Sequence, residues 1–165
     1  MSKTALTAET LRLQLLYVPE TGHFFWRQNI GRAKIGTRAG CLYPSQGRWK
    51  IRLFGRRYYA SNLAWLYMTG EWPSLLVDHR DTNKLNDAWG NLRLATCSQN
   101  FANVGKTVRN TTGFKGVSLT GSRFRADIKF KGKTEVLGVF ETAEAAHAAY
   151  CKRAKELYGD FFNPG

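Results

Sequence analysis

The hydrophobic pattern of this chain changes period several times, and each change marks a predicted element. Thr7 and Thr10 read as a helix start; Leu11, Leu15 and Leu16 then recur at helical spacing, predicting a helix over Ala8–Tyr17 that Pro19 closes. Glu20-Thr21-Gly22 reads as a turn and His23–Trp26 as a strand. Arg48-Trp49-Lys50-Ile51-Arg52-Leu53 alternates without a break, apolar groups on one side and cations on the other, as a half-buried strand does. Phe54-Gly55-Arg56-Arg57 predicts a hairpin turn and Tyr58-Tyr59-Ala60 the returning strand. Ser61 then caps a predicted helix over Asn62–Gly70, with Leu63, Leu66 and Tyr67 as its core face and Gly70 and Pro73 as its stop.

The middle of the chain is richer in polar side chains. Leu75-Leu76-Val77 predicts a short buried strand that delivers Asp78 and His79 to its end. A loop rich in Asp and Asn follows, and Leu92-Arg93-Leu94 predicts the return strand. Thr96 and Gln99 have the spacing of a capping box, so a helix starts there and carries Asn100 one turn on. Residues 105–112 are polar and charged and read as a linker. After Gly113–Val117 the stretch Arg123–Lys131 again alternates cationic with apolar, Gly132 turns the chain, and Glu135–Phe140 predicts a third strand. Thr142 opens a last helix, in which Glu144 suits the helix dipole; Ala145, Ala146, Ala149, Tyr150 and Ala154 give it a small-residue face.

Composition adds a partner to this outline. The 165 residues have room for one ordinary domain or two small ones, and 43% hydrophobic content supplies a packed core. A net charge of +13 points to a polyanionic partner, nucleic acid before an acidic membrane surface. Between Arg27 and Arg57 there are nine Lys and Arg and no acidic residue, so the alternating hairpin can set a cationic face against duplex phosphates. There is no apolar run long enough to cross a bilayer and no leader pattern, so a soluble cytoplasmic protein is expected. Cys41, Cys97 and Cys151 are widely spaced and odd in number; they are expected as small buried or half-buried residues in a reducing compartment.

The residue types near the centre suit phosphodiester chemistry. Asp78 and the side-chain oxygen of Asn100 are hard donors fit for Mg²⁺, which keeps water and substrate phosphate in its shell. His79 can take a proton from water, and Asn91 can orient the imidazole by holding its other nitrogen. A metal beside a histidine base offsets charge on the phosphate while the base activates the attacking water. His23 and His147 are expected at the surface or in packing.

The stretch carrying these residues resembles the HNH (ββα-metal) endonucleases of the phage and intron-encoded homing type. The family pattern has an Asp-His pair ending the first strand, an Asn twelve residues after the His, and a helical His or Asn nine further on; here these are Asp78-His79, Asn91 and Asn100. The resemblance implies His79 as general base, Asn91 as the residue orienting it, and Asp78 and Asn100 as ligands of one Mg²⁺ or Mn²⁺ per site. The last position is Asn instead of His, and the paired Cys-x-x-Cys staples of many relatives are absent from the sequence.

Residues 113–163 resemble the Apetala-type (ethylene-response-factor) DNA-binding domain. The resemblance rests on Gly116-Val117, the basic strand Arg123–Lys131, Leu137-Gly138-Val139-Phe140, Thr142-Ala143-Glu144-Ala145-Ala146 and the ending Tyr158-Gly159-Asp160-Phe161-Phe162-Asn163. It implies that the sheet enters the major groove with Arg123, Arg125, Lys129 and Lys131 on the DNA face.

The expected fold is α+β: a ββα-metal core with an N-terminal helix and hairpin extension, plus a small three-stranded antiparallel sheet packed on one helix. The expected domains are a nuclease domain over 1–104 with its core at 75–104, the linker, and a DNA-binding domain over 113–165. The expected function is metal-dependent cleavage of double-stranded DNA, with Arg48, Lys50, Arg52, Arg56 and Arg57 as further DNA contacts. The alternative is a catalytically silent DNA-binding regulator that keeps the fold. One site per chain allows nicking by a monomer or double cutting by a homodimer.

Overall fold

The computed structural model describes residues 6–106 and 110–165, and the chain divides by packing between Leu94 and Ala95. It is α+β, with helices and antiparallel strands in both units. No helix among the described residues is long and apolar enough to cross a membrane.

In the first unit, α1 (Ala8–Gln14) starts where expected, with the Thr7 hydroxyl accepting from the Thr10 N–H at 3.2 Å. It ends three residues before Tyr17. Leu15–Val18 forms a strand, β1, paired antiparallel with β2 (His23–Trp26), so that Tyr17 lies opposite Phe24. The same leucines that look helical alternate as a strand, and this pairing buries Leu15 and Tyr17 together.

A three-stranded sheet follows in the order β3 (Cys41–Tyr43), β4 (Arg48–Leu53), β5 (Arg56–Tyr59). Its second hairpin turns on two residues, Phe54 and Gly55, both left-handed with φ of 48° and 79°, so Arg56 and Arg57 belong to the strand. Helix α2 (Ala60–Thr69) runs straight on from β5; Ser61 lies buried inside its first turn and does not cap it. Gly70 closes the helix in the left-handed conformation. Leu11, Leu15, Phe24, Ile51, Leu63 and Leu66 form the centre of the core. Burial of each such side chain stabilises the unit by about 1.5–3 kcal/mol.

Two strands carry the polar centre of the sequence, β6 (Leu76–His79) and β7 (Leu92–Ala95), paired as a hairpin. Val77 and Leu92 anchor them in the core, while Leu75 and Leu76, expected to be buried, stay about half exposed.

The second unit begins with α3 (Cys97–Asn103), whose Thr96–Gln99 capping box is fully formed. Strands β8 (Val117–Thr120), β9 (Arg123–Phe130) and β10 (Lys133–Phe140) make an antiparallel sheet in the order β10-β9-β8, and α4 (Ala143–Tyr158) covers one face. Thr142 caps α4 by accepting from the Ala145 N–H. The buried stripe is Ala143, Ala146, Tyr150, Ala154 and Tyr158, with Ala145 turned out to solvent. Along β9, Ala126 and Ile128 point to the helix and Arg123, Arg125, Asp127 and Lys129 to the other face. At Gly116, a Cβ would stand 2.1 Å from the Tyr150 ring, so only glycine lets β8 approach α4 there.

The packing boundary falls ten residues before the expected one at 104. Ala102 of α3 packs with Ile128, Tyr150, Ala154 and Tyr158. The Lys115 ammonium also donates to the carbonyls of Ala102 and Val104 at 2.6 Å and of Asn163 at 2.9 Å, fastening the end of α3 to the chain's last residues. Burial lowers its pKa to about 8. Of the expected linker, residues 107–109 lie outside the described residues.

Candidate active site

Strand β6 delivers two buried ionisable residues in succession, Asp78 at 5% exposure and His79 at 3%. Consecutive strand residues point to opposite faces, and each of these finds a different partner. The Nε2 of His79 lies 3.0 Å from the Oδ1 of Asp87, and Arg93 of β7 donates from Nε to the Oδ2 of Asp78 at 2.9 Å. Both pairs are buried. A carboxylate can only accept, so Asp87 fixes the proton of a neutral imidazole on Nε2 and makes Nδ1 the basic nitrogen.

Asp87 is itself held from the N-terminal hairpin. The Tyr17 hydroxyl donates to its main-chain carbonyl at 2.7 Å, and the Trp89 N–H donates to the Pro19 carbonyl at 2.8 Å. Gly22, left-handed at φ 72°, lies so close that a Cβ would stand 2.2 Å from the Asp87 carbonyl carbon. Burial, and then the negative charge of Asp87, raise the Tyr17 pKa far above its ordinary value, so Tyr17 stays a donor.

Asn91 serves a different bond from the one expected. Its Nδ2 donates to the Oδ1 of Asp81 at 2.9 Å and to the Asn86 carbonyl at 2.7 Å, and its Oδ1 accepts from the Asp81 N–H at 3.0 Å. Both amide hydrogens are thus spent on the loop, and the carboxylate at the His79 Nε2 belongs to Asp87. The Asn91 main-chain carbonyl accepts from the N–H of Arg80, the residue after His79, at 2.9 Å. Asp81 also accepts from the Asn86 amide and the Asn83 N–H. Burial works against its charge, and the bonds from Asn86, Asn91 and Asn83 outweigh that and lower its pKa.

Asn100 lies on α3 in the second unit, half-buried, its N–H donating to the Thr96 carbonyl. Among the described residues no three His, Cys, Asp or Glu side chains gather as a metal site. Asp87, Arg93, Tyr17 and Asp81 all take part in the centre, and sequence reasoning passed over each. Asp81 and Asp87 read as part of a turn loop rich in Asp and Asn, and Arg93 as the middle of the return strand.

The basic faces are separate features. On the outer face of β3-β4-β5, Arg48, Lys50, Arg52 and Arg57 share a side with Tyr43 and Tyr59, because Lys50 pairs with Tyr59, Arg52 with Arg57 and Tyr43 with Arg48. The Lys50 ammonium stands 4.5 Å from the Tyr59 ring centroid and 5.0 Å from that of Tyr43. Arg56 pairs with Leu53 and projects to the opposite side, away from this face. In the second unit Arg123 is bound to Glu141 at 2.9 Å and Arg125 to Asp127 at 3.7 Å, while Lys129 is exposed on the same strand. Lys131 sits beyond the strand in the Lys131-Gly132 turn, left-handed at φ 49°. Cys41 and Cys97, expected at least half-buried, are exposed.

Comparison with known proteins bears on the stretch that carries the Asp78-His79 pair and the capped helix after it. The family profile described as HNH endonuclease matches residues 58–102. Protein 3.8 of Escherichia phage T7 is 37% identical over 87 residues, which are 52% of this chain and 71% of that protein. An uncharacterized HNH endonuclease of Acanthamoeba polyphaga mimivirus is 38% identical over 100 residues, 60% of this chain. The chain spans about half of that relative, 52% of its length. Residues 58–102 thus carry an HNH endonuclease family domain. No solved structure matches the chain significantly.

Proposed function

We propose that this chain is a divalent-metal-dependent endonuclease that hydrolyses phosphodiester bonds in duplex DNA, of the homing or free-standing phage type and acting in the host cytoplasm. The observation that carries the reading is the buried contact of 3.0 Å between His79 and Asp87, next to Asp78 and inside the stretch matching the family. His79 accepts the proton of the attacking water at Nδ1. Asp87 holds the ring in that tautomer and stabilises the imidazolium that forms.

The donor set fits Mg²⁺ or Mn²⁺. Asp78 offers a hard carboxylate whose Oδ2 is already steadied by Arg93, and the family resemblance adds the side-chain oxygen of Asn100. So few protein ligands suit an ion that keeps most of its shell for water and phosphate. When bound, the ion supplies charge stabilisation at the phosphate and leaving oxygen. Binding comes from the basic faces. Arg48, Lys50, Arg52 and Arg57 contact the duplex backbone; Arg123, Arg125, Lys129 and Lys131 act as an Apetala-type reader that sets affinity and register.

The test is incubation of a long duplex with the parent and with His79→Ala, each in Mg²⁺ and in EDTA. Cleavage by the parent in Mg²⁺ alone is expected. Binding without cleavage under every condition would leave the silent regulator instead.

A further inference from the structure

The first unit contains a cleft that the nuclease chemistry does not use. Gln14, Trp26, Gln28, Ile30, Arg52 and Phe54 contribute to its lining, and its volume is about 640 Å³. That lies within the range of roughly 300–1,000 Å³ typical of small-ligand sites. Its walls combine two aromatic rings, three primary amides (Gln14, Gln28 and Asn29) and a guanidinium. Among the described residues, none bonds the indole N–H of Trp26 or the side-chain amides of Gln14 and Gln28.

Phe54 supplies a second, independent observation. It is 65% exposed and stands at φ 48°, the first position of the two-residue turn it makes with Gly55. Such turns favour Asn there, because a bulky side chain resists the left-handed conformation. The ring therefore carries both a conformational cost and a solvation cost, and the protein's own core rewards neither. Strained backbone of this kind concentrates where ligands are held.

The charge around the cleft selects the ligand. Apart from Gln14 and Trp26, its lining comes from the stretch Arg27–Arg57, which has nine Lys and Arg and no acid. An anionic group next to a flat heteroaromatic ring is the chemistry of a nucleotide. A paired base presents neither of its faces, so a nucleotide entering here is unstacked and unpaired.

We propose that this cleft receives one unpaired nucleotide of the DNA substrate. Its base lies between Trp26 and Phe54, its edge meets the amides of Gln14 and Gln28, and its phosphate faces Arg52. The inference rests on the DNA-cleaving reading and adds a substrate preference to it: duplexes with a bulged or displaced nucleotide are favoured over perfect ones.

The test compares a labelled duplex with the same duplex carrying one unpaired thymidine, by fluorescence anisotropy at fixed salt, with thymidine monophosphate as competitor. Stacking on aromatic side chains corresponds to roughly 5–150-fold per base, so the parent should bind the bulged duplex about tenfold more tightly. Phe54→Asn should bring the two affinities within about twofold, leave perfect-duplex binding unchanged, and hold or raise the melting temperature. Equal binding of both duplexes by the parent, or a preference that survives Phe54→Asn, overturns the proposal. Equal binding of the two duplexes with displacement by the free mononucleotide assigns the cleft to a soluble nucleotide, which also overturns it. A perfect duplex bound and cut in Mg²⁺ without any preference leaves the nuclease reading standing; failure to bind either duplex removes both.

Discussion

The hydroxyl of Tyr17 donates 2.7 Å to the main-chain carbonyl of Asp87, and both residues are buried. A hairpin near the start of the chain thereby holds the acid that orients the histidine. Tyr17→Phe keeps the ring and strands this carbonyl, which should cost about 1–3 kcal/mol. We expect a lower melting temperature and slower cleavage, with DNA affinity retained. Unchanged stability would mean that water replaces the hydroxyl.

The buried pair itself separates two roles. His79→Ala should reduce cleavage by about 10²–10⁴-fold with DNA affinity nearly intact, since a general base acts on the rate. Asp87→Asn keeps the shape but can present an amide to Nε2 and favour the other tautomer. Its turnover should fall while KM stays near the parent's. Single-turnover cleavage by both variants checks this, and a His79→Ala protein within a few-fold of the parent would remove His79 as the base.

Asp78 calls for a controlled pair of variants. Asp78→Ala leaves the Arg93 charge buried without its carboxylate, which should destabilise the first unit by about 3–5 kcal/mol, so loss of activity alone would be ambiguous. Asp78→Asn retains an oxygen for Arg93 while weakening a hard-metal ligand. The expected result is a folded protein needing far more Mg²⁺ or Mn²⁺ for the same rate. A metal titration identical to the parent's would exclude Asp78 as a ligand.

For the first basic face, salt dependence is the readout. Each lost phosphate contact should lower the slope of log affinity against log salt by about 0.9. Lys50→Ala and Arg52→Ala should each show this, and Arg56→Ala, which projects to the other side, should not. Equal slopes for all three would mean that the duplex does not lie on this face.

Much of this architecture is legible in the letters, where local chemistry decides. The Thr96–Gln99 cap, the Thr142 cap and the alternation of β4 and β9 need only neighbours in sequence. The misreadings arise where a distant partner decides. Leu15 and Leu16 fit a helix until His23–Trp26 supplies a strand to pair with. Arg93 reads only as a strand residue until folding sets it against Asp78, fifteen residues away in the chain. Asp87 looks like a turn residue for the same reason, since its role depends on Tyr17 and His79 together. Asn91 was recognisable as important from its spacing, but which atoms its amide would meet depended on the folded path of the loop.

The packing of α3 changes what a deletion should do. A chain ending at residue 112 lacks Ile128, Tyr150, Ala154 and Tyr158 around Ala102, and lacks Lys115 at the carbonyls of Ala102 and Val104. A seven-residue helix does not persist in water without such support. Amide hydrogen exchange in α3 should therefore approach unfolded rates in the truncated chain, and cleavage should fall with it. Protected α3 amides in that chain would place the helix's support elsewhere.

The loop from Asp81 to Asn91 is tied at its two ends by Asn91 and in its middle by Asn83 and Asn86, while Thr82, Lys84 and Leu85 are exposed. Over evolutionary time such a segment can exchange Lys84 and Leu85 freely and Thr82, left-handed at φ 63°, only for residues that accept that conformation, but it cannot be lengthened or shortened. One inserted or deleted residue would slide Asp87 off the histidine, so drift here should appear as substitution and never as a gap.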